Sequence, residues 1–158
     1  MGVRSGIGYD CHRLAAGREL VLGGVVLDSE RGLDGHSDAD ALTHAVIDAL
    51  LGAAGLGDIG MHFPDSDERF RGADSIELLR LAVALVAQAG FVIANVDTTV
   101  MMEAPRLGPA RELMRARLAE ALGIDEHAVN VKATTGEGIG FVGRGEGVAA
   151  LAIATLDG

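Results

Sequence analysis

Residues 35–67 read GHSDADALTHAVIDALLGAAGLGDIGMHFPDSD. Three of the chain's five histidines and six carboxylates fall in this stretch, among small or apolar neighbours. Asp and His are costly to bury without partners, so folding alone is a poor reason for such grouping. The centre has the pattern of a helix. Ser37 is placed to cap it, Asp38 and Asp40 suit its positive first turn, and Gly52 and Gly55 mark its end. Asp40, His44 and Asp48 recur at four-residue spacing and form one stripe. Leu42, Ala45, Val46, Ala49 and Ala53 lie mostly opposite, while Ile47 and Leu51 flank the stripe itself. A helix that is apolar nearly all round is usually buried, which predicts that the stripe lines an enclosed site.

Upstream, Val3 to His12 alternates as a strand, with Gly6 and Gly8 open to close approach by another backbone. Asp10 and His12 then share a face, and Cys11 points away. The runs Leu20–Leu22 and Val25–Leu27 around Gly23-Gly24 read as a hairpin. Downstream, residues 55–67 read as loop, with Pro64 demanding an extended Phe63. Asp74 and Glu77 resemble a capping box for a second helix closing at Gly90. Phe91 to Met102 is a strand with Asn95, Asp97 and Thr99 on one face and Val96, Val100 and Met102 on the other. Pro109 opens a third helix ending near Gly123, and Val129 to Thr134 is a short strand. Gly147 to Leu156 is continuously apolar, as expected of a strand covered on both faces. The expectation is one α/β domain of α+β type over residues 1–158, a mixed sheet with helices on one face. The central helix and the last strand are too apolar for a monomer's surface, which predicts an oligomer.

A length of 158 residues suits one such domain, and with aromatics at 3% its core must be aliphatic. The formal charge of −10 argues against nucleic-acid binding, which needs a basic surface. No apolar run is long enough to span a membrane. The opening MGVRSGIGYD has neither signal-peptide nor transit-peptide character. A single cysteine excludes an intrachain disulfide. These features predict a cytoplasmic protein.

The sharpest chemical constellation is Asp10 and His12 on the first strand with His44 on the central helix. Two imidazoles and a carboxylate make a ligand set for a divalent transition metal, with a fourth position left for substrate. The competing reading is that His12 is a hydrogen-bonded core histidine. Asp48, one turn after His44, is placed to orient the His44 ring; a polar pair on the helix surface is the alternative. His36 and Ser37 precede a helix, where free N–H groups attract anions, and capping explains Ser37 equally well. Asp58, Asp65 and Asp67 lie in a glycine-rich loop, where turn formation is the common cause. Thr134, Thr135, Glu137, Arg144 and Glu146 cluster around six glycines in a segment suited to phosphate, although the pattern is not a Walker loop. An acidic protein that handles phosphates needs metal ions to offset repulsion.

Taken together, GYDCHRL, the 35–67 block, GADS, NVD, VNVKATTGE and GFVGRGEG resemble the 2-C-methyl-D-erythritol 2,4-cyclodiphosphate synthase family, in order and over nearly the whole chain. The resemblance implies a homotrimer with active sites between subunits, acting in the non-mevalonate route to isoprenoids. The implied substrate is 4-diphosphocytidyl-2-C-methyl-D-erythritol 2-phosphate, whose 2-phosphate attacks the β-phosphorus and expels CMP. By similarity Asp10, His12 and His44 bind Zn2+, and Glu137 holds a second ion, Mg2+ or Mn2+. His36 and Thr135 match positions at the transferring phosphate. Ser37, Asp58, Ile59, Gly60, Phe63, Pro64, Asp65, Ser66 and Asp67 match the segments holding the erythritol and its phosphate. Met102, Glu103, Ala104, Pro105, Arg106, Leu107 and Gly108, with Thr134 and Gly136, match those around the cytidine diphosphate. Phe141 and Arg144 complete the substrate-facing set. Arg144 with Glu146 also matches the trimer axis, where an isoprenoid diphosphate is the implied ligand.

The chain departs from the family's common Ala-Gln-Ala-Pro-Lys with Met102-Glu103-Ala104-Pro105-Arg106, and from its common Thr with Gly136. These departures bear on nucleotide contacts and on the loop before Glu137. Two other functions stay open at this level: a metal-dependent phosphohydrolase using water at the same site, and a non-catalytic trimer binding isoprenoid diphosphates.

Overall fold

Strand β1 runs from Val3 to Ala16 and carries both the first metal-ligand candidates and the two glycines beneath them. A computed structural model describes residues 2–158. The last strand, β7 (Gly147–Asp157), pairs antiparallel with β1 from Val3 opposite Asp157 to Arg13 opposite Gly147. On its other side β7 pairs antiparallel with β5 (Val92–Met101), which is followed at the edge by β6 (Val129–Thr134) in parallel. A short β4 (Arg31–Leu33) closes the opposite edge, giving a mixed five-stranded sheet ordered β4-β1-β7-β5-β6. β2 (Leu20–Leu22) and β3 (Val25–Leu27) form the separate hairpin, turning at Gly23 and Gly24 with positive φ.

The central helix, α1 (Ala41–Ala54), lies on the face of β1 and β7 that presents Gly6, Gly8, Ala150, Ala152 and Ala154. A Cβ at Gly8 would overlap the Ala45 carbonyl, and one at Gly6 the Ala49 carbonyl. The helix backbone therefore rests directly on the strand. Twelve of its 14 residues are buried, with α3 (Ser75–Gln88) packed alongside. Its all-round apolar character is thus satisfied within one chain and does not call for a partner subunit. α4 (Ala110–Leu122) completes this layer, and single turns α2 (Ile59–His62) and α5 (Gly140–Gly143) stand in the loops.

The opposite face of the sheet is bare. Ile7 pairs with Ile153 and Tyr9 with Leu151 there, and all four are exposed. The expectation that β7 is covered on both faces therefore fails within a single chain.

Several local expectations shift. α1 is capped by Asp40, whose carboxylate accepts from Thr43 N–H at 2.9 Å; Ser37 lies too far upstream. Ala39 has a φ of 57°, which breaks the helical path just before Asp40. Asp40 also accepts from Gly23 N–H at 2.9 Å and Gly24 N–H at 2.8 Å, joining the hairpin turn to the helix start. Asp74 caps α3, but Glu77 pairs with Arg80 and leaves the capping box open. Phe63 avoids the helical region before Pro64 yet is not extended, with a ψ of 63°. Pro109 and Gly123 bound α4 as expected.

Gly8→Ala drives a methyl into the helix backbone and is expected to destabilise the fold by about 1–3 kcal/mol or more. Gly52→Ala, inside α1 with nothing closer than 4.0 Å to its added Cβ, is expected to stabilise it by about 0.5–1 kcal/mol. Denaturant unfolding of the two variants checks both signs.

Candidate active site

The contact of α1 with the two glycines of β1 brings His44 over Asp10 and His12. His12 Nε2 lies 2.7 Å and His44 Nδ1 3.0 Å from Asp10 Oδ2, and the two nitrogens are 3.4 Å apart. These are the donor atoms of the one cluster among the described residues able to hold a metal ion. His12 Nδ1 stands 3.1 Å from the Asp34 carbonyl, which can only accept. That nitrogen therefore carries the proton, and Nε2 turns a lone pair toward Asp10. A lone pair and a carboxylate at such a distance need a cation between them. The three donor atoms all lie within 4.8 Å of one another, close enough to share one cation. The donor set fits a divalent transition metal.

The charges respond accordingly. Burial alone would raise the Asp10 carboxyl, but in the metal-free site hydrogen bonds from His12 and His44 as doubly protonated, positively charged rings hold it at about 2. Burial disfavours a charged His44, yet the Asp10 hydrogen bond and the fields of Asp10, Asp40 and Asp38 push it above its ordinary value. The metal-free site thus draws in a proton where it would otherwise hold a cation.

The triad opens on a cavity of about 410 Å³, walled by His36 and Ser37 and by Ile59, Gly60, Phe63, Pro64 and Asp65. His36 Nε2 is 3.2 Å from the Asp67 carbonyl. Ser66 and Asp67 are not in the wall; Asp67 is bound to Arg69, which lowers its pKa, and caps the turn at Glu68–Phe70. Asp58 also faces away, capping α2 through Met61 N–H at 3.0 Å. A larger hollow of about 770 Å³ lies behind Gly35–Asp38, but the triad does not face it. Between the two, Arg18 donates to the carbonyls of Gly35 at 3.3 Å and Ser37 at 3.2 Å and holds the shared wall.

Asp48 corrects the sequence reading. Its carboxylate accepts from Ile59 N–H at 2.7 Å and anchors the substrate-side loop, with its pKa raised by burial. Asp40 leaves the stripe too, being spent on the hairpin and the cap. The His44 ring instead meets Ser75 Oγ at 2.8 Å and Ser37 Oγ at 3.2 Å through Nε2. Ser75 sits in the GADS motif, where the capping role of Asp74 masked it. Arg18 gave no sequence signal, since what it holds in the wall are backbone carbonyls, with the Asp34 carboxylate beside them at 3.4 Å.

The remaining candidates gather elsewhere. Met102, Glu103, Pro105, Arg106, Leu107 and Gly108 line a third cavity, of about 390 Å³, with Thr134 and Thr135. Glu103, an awkward charge beside a diphosphate, accepts from Gly136 N–H and ties this segment to the glycine-rich loop. A Cβ at Gly136 would crowd Gly143, so the loop folds tightly onto α5. Thr135 Oγ1 accepts from Glu137 N–H at 3.2 Å, and Arg144 pairs with Glu146 at 3.3 Å. Ala104, Gly136, Glu137, Phe141 and Arg144 line neither cavity. Within one chain the triad and these segments do not meet in a common pocket.

This fold, with a metal-ready triad on a strand and helix, matches the YgbB family over residues 3–157, and the chain belongs to that family. Among its relatives one name recurs. The chain is 60% identical over 156 residues to a 2-C-methyl-D-erythritol 2,4-cyclodiphosphate synthase of Laribacter hongkongensis, covering 99% of this chain and 96% of that one. A synthase of that name solved in its CDP-bound form superposes with a TM-score of 0.90 at 39% identity, covering 98% of this chain and 100% of the other. The bifunctional IspDF of Campylobacter jejuni superposes with a TM-score of 0.94 at 44% identity, over 98% of this chain and 42% of its own.

In metal-free protein the Asp10–His44 pair has a defined pH window. Asp10, depressed, contributes stability above its ordinary 3.8 that is lost as pH falls toward about 2. His44, raised, contributes below 6.5, and that contribution fades as pH climbs through its folded pKa. Chelator-treated protein should therefore gain most from the pair between 3.8 and 6.5. Urea unfolding across pH should show this for the native chain and not for Asp10→Asn. Asp48→Asn, in turn, should weaken binding of a cytidylyl substrate while leaving zinc content unchanged, as read by titration calorimetry and elemental analysis.

Proposed function

We infer that the chain converts 4-diphosphocytidyl-2-C-methyl-D-erythritol 2-phosphate to 2-C-methyl-D-erythritol 2,4-cyclodiphosphate and CMP, as a phosphorus–oxygen lyase of the non-mevalonate isoprenoid route. The observation that carries this reading is the Asp10–His12–His44 cluster opening onto the Ile59–Asp65 wall, in a chain of this family. In the reaction an oxygen of the 2-phosphate bonds to the β-phosphorus. The bond from that phosphorus to the bridging oxygen breaks, and CMP leaves with that oxygen. Phosphoryl transfer is chiefly positioning and charge neutralisation, so no Ser or Cys nucleophile is needed. Cys11, on the opposite face of β1 from Asp10 and His12, stays outside the chemistry.

Asp10, His12 and His44 would hold Zn2+, and Glu137 a second ion, Mg2+ or Mn2+. Bound there, such ions polarise and neutralise phosphate oxygens. The chain's own residues do the rest. His36, braced by Asp67 and by the Arg18-held wall, presents its ring to the transferring phosphate. Thr135 stabilises the same group from the glycine-rich loop. Ser37 and the 58–67 loop, anchored by Asp48, hold the erythritol phosphate. The 102–108 segment with Thr134, Gly136, Phe141 and Arg144 receives the cytidine diphosphate.

A homotrimer completes this reading, with each site shared between neighbours. Two observations support it. The triad cavity and the nucleotide-side cavity are separate in one chain. The bare sheet face exposes Ile7, Tyr9, Leu151 and Ile153, apolar surface that a neighbouring copy would cover at a gain of about 25 cal/mol per Å² buried. Arg144 and Glu146 at the axis would meet an isoprenoid diphosphate. No helix among the described residues is long and apolar enough to cross a membrane, and a cytoplasmic location belongs to the same reading.

Phosphorus NMR of the cytidylyl substrate with enzyme tests the reaction: a cyclic diphosphate with CMP is expected, and an open-chain phosphate would indicate a hydrolase instead. His44→Ala should lose both zinc and turnover while remaining folded. Stoichiometric zinc retained by that variant in elemental analysis would contradict the ligand assignment.

A further inference from the structure

We propose that Ser75 and Asp38 form a hydroxyl–carboxylate relay that fixes the His44 tautomer, keeping its Nδ1 bare toward Asp10 and His12. The inference rests on reading that triad as the metal site, and it makes Ser75 a positioning residue.

Ser75 is the first residue of α3 and is fully buried. Its backbone N–H donates to Asp38 Oδ2 at 3.0 Å, and its hydroxyl bonds Asp38 Oδ1. A carboxylate only accepts, so the single hydroxyl proton of Ser75 is committed to Asp38. What Ser75 turns toward His44 Nε2, 2.8 Å away, is a lone pair. The neutral ring satisfies that contact only by carrying its proton on Nε2. Nδ1 is then the unprotonated nitrogen, and Nδ1 is the atom that faces Asp10 and His12.

Ser37 makes this relay necessary. Its Oγ also lies 3.2 Å from His44 Nε2 and accepts from Ala39 N–H, which leaves its own hydroxyl proton free to point at the ring. Left alone, Ser37 would permit the opposite tautomer, with a proton on Nδ1 blocking the metal position. The nearer serine, tied to a carboxylate, decides between the two. Asp38 is itself held in place by its N–H to the Ala73 carbonyl at 3.2 Å, so the relay docks the start of α3 against the segment before α1. Charge passed through a hydrogen-bonded chain of this kind also raises ligand basicity.

A purely structural Ser75 would anchor α3 through its backbone N–H, which Ser75→Ala retains. The test reads the imidazole nitrogens by 15N NMR in metal-free Asp10→Ala protein at alkaline pH, where the ring is neutral and no carboxylate draws its proton to Nδ1. His44 in Asp10→Ala should show the Nε2–H tautomer, and the same protein with Ser75→Ala added a mixture. Zinc affinity, from competition with a chromogenic chelator, should fall about ten- to a hundredfold in Ser75→Ala, change little in Ser37→Ala, and be restored by the hydroxyl of Ser75→Thr. An Nδ1–H tautomer in Asp10→Ala would overturn the relay even if the variant with Ser75→Ala failed to fold. So would native zinc affinity with an unchanged nitrogen spectrum in Ser75→Ala. Absence of zinc from the native protein would instead strike at the metal reading, leaving the tautomer result to stand.

Discussion

The molecule depends on one steric fact: α1 has no side-chain layer between its backbone and β1. Gly6 and Gly8 leave the strand bare where the helix carbonyls of Ala49 and Ala45 press on it, and the alanines of β7 continue the trough. A helix at ordinary side-chain separation would carry His44 well away from Asp10 and His12. Here the helix sinks until its imidazole reaches a carboxylate on the strand. The close approach that stabilises the core is therefore the same contact that assembles the ligands.

Around that contact the acidic side chains divide their labour. Asp40 joins hairpin to helix, Asp48 holds the loop facing the triad, Asp58 and Asp67 cap turns, and Asp38 binds the start of α3. Only Asp10 is aimed at the two imidazole nitrogens that turn away from their other partners. A chain with a formal charge of −10 thus spends most of the carboxylates near its site on backbone N–H groups and concentrates its demand for a cation at one point. Substrates rich in phosphate suit such a site only when metal ions accompany them.

The bare sheet face and the divided cavities belong to one problem. The strands that carry Asp10 and His12 on one side carry Ile7 and Tyr9 on the other, because residues on a strand alternate. A neighbouring copy seated there would cover that apolar surface, and the proposed homotrimer would supply a neighbour's 102–108 segment and glycine-rich loop to the triad cavity. Glu103 then falls into place as a tie to Gly136, preserving the loop where the family's usual side chains are missing.

Much of this was legible from residue types and spacing. The strand parity of Asp10 and His12, the close-approach glycines, the hairpin, the bounds of α4 and the family itself follow from local pattern, since periodicity, turn chemistry and motif order are properties of neighbouring residues. Local pattern misassigned the cap of α1 and the partner of His44, and it took the apolar helix as a sign of oligomerisation. Those outcomes depend on contacts between residues far apart in the chain: Asp10 with His44, Asp40 with the hairpin turn, Ser75 with Asp38. A carboxylate in sequence is only an acceptor in search of a donor, and four-residue spacing nominated Asp48 for the imidazole. Which donor each acid meets, and so which one is left to bind a cation, was settled by how closely the helix could lie on the strand.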